Sequence, residues 1–263
     1  MKGLKKYLNN RQEAIDLILK KPKQLYTAET FHKLRVEIKK LRALFELINH
    51  CASEFKKDKN FAPFKLIFRQ AGKVRELQVE EAMLKKHFKT NLLKEYKAHL
   101  KKLKLEEQEK YFSIINKKEV KILAPQYSHT IYYLKEVNEK KATRYLKKKR
   151  LKIGKIIRQK MLSKIQLHEL RKKLKTFNYN LKMLDLLNKN KSIHKKNILP
   201  ELLGKWHDCE ITIGNLKKEI KNANIKEKDQ LNKIGSKISS ESKILLNKIK
   251  SALTQEGSQF ISS

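Results

Sequence analysis

Apolar residues return every three or four positions along nearly the whole chain. In "HKLRVEIKKLRALFELI" (32–48), Leu34, Ile38, Leu41, Phe45 and Ile48 fall on one helical stripe. That period predicts amphipathic α-helices, about eight of them, and no alternating strand or Asn-Gly hairpin turn interrupts it. Only 7 Gly and 4 Pro are present. Pro22, Pro63, Pro125 and Pro200 are expected to punctuate the chain, and Gly72 and Gly204 to lie near helix ends or packed crossings. "NKNKSIHKKN" (188–197) predicts a loop and "TQEGSQFISS" (254–263) a frayed end. The expected fold class is all-α.

The polar positions of the same segment are not arranged as a surface helix requires. With His32 at zero and about 100° per residue, Arg35, Lys39 and Arg42 lie within about 80° of it, in a stripe about 15 Å long. The core stripe occupies about 160–240°, and Val36, Ala43 and Leu47 form a third group at about 20–60°. Lys33, Glu37 and Lys40 take the remaining arc and are expected to face solvent. The cations therefore run between two apolar strips, whereas a merely solvated face lies opposite the core.

Charge sharpens this. The 263 residues hold 64 Lys and Arg against 27 Asp and Glu, a formal net charge of +37 and a pI near 10.1. Such a balance favours polyanionic partners. With 40% hydrophobic residues the chain is too apolar for a disordered basic tail. From 139 to 182 only Glu139 and Glu169 stand against seventeen Lys and Arg. Buried cations are costly unless paired, so a ligand polyanion is the expected counter-charge. Cys51 and Cys209 form no CxxC pair, which argues against a disulfide framework or a zinc ribbon and fits a reducing cytosol. No run reaches the ~18 apolar residues of a membrane span, and the N-terminus lacks an apolar leader.

The chain also repeats itself. "HKLRVEIKKLRALFELI" (32–48) aligns with "HELRKKLKTFNYNLKML" (168–184), matching His32 with His168, Leu34 with Leu170, Arg35 with Arg171 and Lys39 with Lys175. "AGKVRELQV" (71–79) aligns with "LGKWHDCEI" (203–211), setting Arg75-Glu76 opposite His207-Asp208. Two similar halves of about four helices each, 1–118 and 119–263, are the simplest reading.

These four blocks resemble the CHAD family, the conserved histidine α-helical domains. "FHKLRVEIKKLR" and "LHELRKKLK" are similar to its two histidine signatures, and "AGKVRELQV" and "LLGKWHDCEI" to its follow-on segments. The resemblance covers essentially all of residues 1–263 as one domain. It implies two four-helix bundles about a pseudo-two-fold axis, with a basic central pore that binds inorganic polyphosphate without catalysis. His32, Arg35, Lys39, Lys40, Arg42 and Arg75 are the implied contacts from the first half, and His168, Arg171, Lys172 and Lys175 from the second. Asn178 and Tyr179 stand where the family has an arginine and a tyrosine, and Glu76 where it has an aspartate. Neither cofactor nor metal is implied. A cytoplasmic location, at polyphosphate granules, is the corresponding expectation.

Polyphosphate also suits the chemistry directly. Arg forks and Lys point charges match phosphate oxygens, and a neighbouring phosphate biases histidine towards its protonated form. At about −0.7 per neutralised charge, six contacts give a log–log salt slope near −4. RNA is the alternative ligand, with "ATRYLKKKRLKIGKIIRQK" (142–160) its expected surface and low-salt, non-specific binding its form. However, the 20 aromatics are not interleaved with cations. A third reading groups His207-Asp208 with His168 or His194 and with Asp229 as the metal set of an HD-type phosphohydrolase. Asp208 is otherwise expected to cap a helix or bond a basic neighbour. "LGK" (203–205) lacks the P-loop frame.

Overall fold

Thr27 starts the helix that carries the first signature. Its hydroxyl accepts from the Thr30 N–H at 3.2 Å, and Thr30 Oγ1 accepts from the Thr27 N–H at 3.3 Å, closing a capping box five residues before His32. From there Phe31, Leu34, Ile38, Leu41, Phe45 and Ile48 are all fully buried. Val36 is half-buried, while Ala43 and Leu47 of the third group are buried. Both apolar strips of the wheel are thus covered.

The structure, a computed structural model, describes residues 2–87, 93–115, 120–159, 161–185, 198–221 and 225–257. Among these residues run nine α-helices and no strand: α1 (Lys2–Leu19), α2 (Ala28–Cys51), α3 (Lys57–His87), α4 (Lys94–Ile114), α5 (Leu123–Tyr133), α6 (Glu139–Ile157), α7 (Lys164–Asp185), α8 (Leu199–Glu219) and α9 (Ile225–Gly257). The loop expected at 188–197 lies outside the described residues. Helix α9 continues through Thr254 to Gly257, past the expected start of the frayed end. Pro63 does not punctuate the chain; it sits inside α3. As the seventh residue of α3 it removes the intrahelical bond to the Lys59 carbonyl, a cost set against the packing of the nearby Phe61 and Phe64 on the Phe45 ring at 6.4 and 6.0 Å.

Four helices form a closed circuit. α2 packs on α3, α3 on α8, α8 on α7, and α7 back on α2. The two signature helices are therefore neighbours, as are the two follow-on helices, and each repeat faces its counterpart. α1, α4, α5, α6 and α9 pack around this circuit.

The apolar interior has two clusters, and neither respects a boundary at 118/119. The first gathers α1, α2 and much of α3 but also takes Tyr127, Val137, Tyr145, Met183 and Leu184. The second gathers α7, α8 and α9 but also takes Leu84, Leu93, Tyr96 and Leu100. Helix α3, 31 residues and about 46 Å long, enters both.

Candidate functional site

Arg35 shows how the fold positions a cation. Its Nη1 donates to the main-chain oxygen of Phe68 at 2.7 Å, and its guanidinium lies 4.2 Å from the Phe68 ring centroid. One turn further along α3, Gly72 makes room for it, because a Cβ there would collide with Nη1. The Phe68–Gly72 turn is a seat that fixes a long, flexible side chain before any ligand contact is made. Gly72 thus marks a packed crossing of α2 and α3. At the matching Gly204 a methyl group would meet nothing within 4 Å, and Pro200 stands where Phe68 stands in the first half. Arg171 has no equivalent seat, and its Nε is buried without a hydrogen-bond partner.

The charges of five cations converge on the circuit. Burial, followed by Arg35, Lys175 and Arg171, pushes the Lys39 ammonium down to about 7. Burial and then Arg171 push Lys175 down to about 8, with Asp208 opposing and Arg35 adding to the effect. Arg35 and Arg171 are themselves lowered, chiefly by burial. Arg75 acts on His32, Arg35 and Asp208 alike. Against these cations stand two carboxylates. Glu76 opposes the lowering of Arg35, and Asp208 that of Arg171 and Lys175. The Asp208 carboxyl is raised by burial even though four cations pull it down. Two carboxylates do not neutralise five cations, and the residual positive potential is what an anion would meet.

The histidines flank this cluster. His32 is lowered by burial and then by Arg75. His168 lies 4.9 Å from the Trp206 ring and 4.6 Å from the His207 ring. Burial, followed by Arg171 and His168, pushes His207 down to about 3, and its Nδ1 is buried without a partner. Lys172, exposed, adds its charge to both imidazoles.

Of the residues singled out from sequence, His32, Arg35, Lys39, Arg75, His168, Arg171, Lys172 and Lys175 come together here. Lys40 and Arg42 do not. Lys40 pairs with Glu37 at 2.7 Å, and Glu37 is held by Arg11 of α1 at 2.9 Å. Glu37 and Lys40 are accordingly half-buried and not solvent positions, because α1 packs over that arc of α2. Arg42 is half-exposed, 3.8 Å from Glu46 and 5.5 Å from the Phe61 ring. Phe68, His207 and Asp208 join the cluster although sequence reasoning did not assign them to it. The one sequence cue to Phe68 is its place one turn before Gly72. Tyr179, named from sequence only as standing where the family has a tyrosine, lies among Glu37 and Arg171.

Asp208 lies in mid-helix and caps nothing; it bears on Arg171 and Lys175. Among the described residues no three His, Cys, Asp or Glu side chains gather as metal ligands. Asp229 is exposed on α9, and His194 lies outside the described residues. Cys51 and Cys209 are buried free thiols, and no described helix is long and apolar enough to cross a membrane.

Fold and site together define an all-helical protein with a cation-rich junction of four helices. Residues 11–217 match the family model described as the CHAD domain, and the chain belongs to that family. It is similar in structure to the CHAD domain from the plant Ricinus communis, with a TM-score of 0.76 and 16% identity over 96% of this chain and 91% of that one. No curated protein matches the chain.

Proposed function

We propose that this protein binds inorganic polyphosphate, without chemistry on it, in a basic passage between α2, α3, α7 and α8. The two halves would meet there as four-helix bundles about a pseudo-two-fold axis. One observation carries the reading: Arg35, Lys39, Arg75, Arg171 and Lys175 converge from three helices, with Glu76 and Asp208 as their only described carboxylate opponents. A narrow, unbranched polyanion supplies counter-charge from inside such a junction, whereas duplex nucleic acid is too wide to enter it. Membership of a family associated with polyphosphate binding supports the same ligand. The reading includes a cytoplasmic location, at polyphosphate granules.

The test is calorimetric titration with long-chain polyphosphate at near-physiological salt, with a structured RNA as competitor. Polyphosphate binding that survives RNA is the expected result; preference for RNA would reject the reading. Arg171→Ala should weaken polyphosphate binding about tenfold, near the ~1.5 kcal/mol of one charged hydrogen bond, with circular dichroism unchanged. Normal binding by that variant would remove the junction as the site.

Gly72→Ala examines the seat under Arg35. The obstructing atom is the tip of a flexible side chain, so the guanidinium should move and the helix stay. Alanine adds up to ~1 kcal/mol of helix propensity, so the midpoint of thermal unfolding should hold or rise while polyphosphate affinity drops about threefold. A fall in stability with unchanged affinity would show the glycine to be a packing device only.

A further inference from the structure

We infer that a second phosphate-binding site lies at the far end of α2, in the basic pocket between α2, the start of α3 and α6, and that a polyphosphate chain extends into it. The inference rests on the polyphosphate reading above. The pocket is a recess of about 470 Å³ lined by Glu46, Asn49, His50, Lys57, Tyr145, Lys148, Lys149 and Lys152. Four lysines and one carboxylate line it; Lys57 lies 3.4 Å from Asp58, and the lining carboxylate is already engaged, because Glu46 accepts from Lys149 at 2.6 Å and lies 3.8 Å from Arg42. Neither Lys148 nor Lys152 has an ion-pair partner among the described residues. Asn49 Oδ1 accepts from the Lys57 N–H at 3.1 Å, so the positive end of the long α3 also opens here. Burial first, and after it Lys148, Arg144 and Lys149, lower the His50 imidazole, so three cations lie close enough to act on it.

The recess and the central cluster lie along the same face of α2. Arg35, Lys39, Arg42, Glu46 and His50 follow one another along α2 at spacings of four, three, four and four, on one face of the helix. Arg35 to His50 spans about 22 Å of helix axis. Arg42, left outside the central cluster, is the stepping stone between the two sites. RNA fits the recess less well, because its one ring other than His50, Tyr145, is buried beneath Lys149 and offers no face for a base to stack on.

Lys148→Ala/Lys152→Ala removes two exposed cations outside either core. The variant should bind long-chain polyphosphate several-fold more weakly, with a log–log salt slope shallower by about 1.4, the share of two contacts. In wild-type protein, tripolyphosphate should shift the His50 imidazole resonances, and in the double variant it should not. Silent His50 resonances, or an unchanged slope, would overturn the second site even if Arg171→Ala still impairs binding. Conversely, a His50 response in a protein whose affinity is indifferent to Arg171→Ala rejects the central site and keeps this one. RNA affinity that falls in the double variant while polyphosphate affinity holds would overturn it in favour of an RNA surface.

Discussion

Polyphosphate affinity should fall on the order of a hundredfold between pH 6.5 and 9, at constant ionic strength. Most lysines keep their charge throughout that range, but burial and neighbouring cations push Lys39 down to about 7 and Lys175 to about 8. Phosphate oxygens in that site would restore the missing counter-charge, so the complex would hold protons that the protein alone has released. Above its own pKa each such lysine adds up to about one decade of lost affinity per pH unit. Stability runs the other way. Both lysines have folded pKa values below the ~10.5 of an unfolded lysine, so the unfolded chain binds more protons between about pH 7 and 10. Unfolding is therefore opposed more strongly as pH rises through that window, and their contribution to the thermal midpoint should rise as affinity drops. Calorimetry at four pH values and a thermal melt at each would check both signs. An affinity flat with pH would mean that neither lysine touches the polymer.

Replacing the pair tests the same physics without titration. Lys39→Met/Lys175→Met keeps most of each side chain's volume and deletes two mutually repelling, largely buried charges. Binding should weaken by two decades or more, because each lost charge removes attraction and counterion release together. The variant should nonetheless melt higher, by about 1 kcal/mol or more, since buried charges replaced by apolar groups of similar size are often stabilising. It should also lose the pH dependence of whatever affinity remains. A double variant that melts lower would show that Asp208 needs Lys175 more than the lysines repel one another. Tight, pH-dependent binding by the variant would move the site elsewhere. A variant that melts higher and binds worse would mark the pair as a stability cost carried for function.

Much of this was legible in the residues. The 3.6-residue period placed Leu34 through Ile48 in the interior, and the wheel set the cations between two buried strips. The repeat identified Arg171 and Lys175 as counterparts of Arg35 and Lys39, and α2 and α7 do pack together. What a wheel cannot supply is which helix covers which arc. Glu37 and Lys40 have ordinary surface chemistry, yet Arg11 from α1 closes over them; that partner is twenty-six positions away and has no local signature. Arg42 keeps the stripe's spacing, but the stripe is longer than the junction, so its last cation leaves the central cluster. The same limit hid Phe68. An aromatic on α3 reads as core, and only the approach of Arg35 turns its main-chain oxygen and ring into a seat.

The interleaved interiors carry a consequence for the chain's modular appearance. The duplicated blocks look like two units joined in tandem, which invites cutting the gene between them. A fragment ending at 118 would leave Leu84, Leu93, Tyr96 and Leu100 bare, and would strip Tyr127, Val137, Tyr145, Met183 and Leu184 from its own interior. Neither piece is therefore expected to fold by itself. Because each interior borrows side chains from the other half, a core substitution in one half should lower the stability of both together.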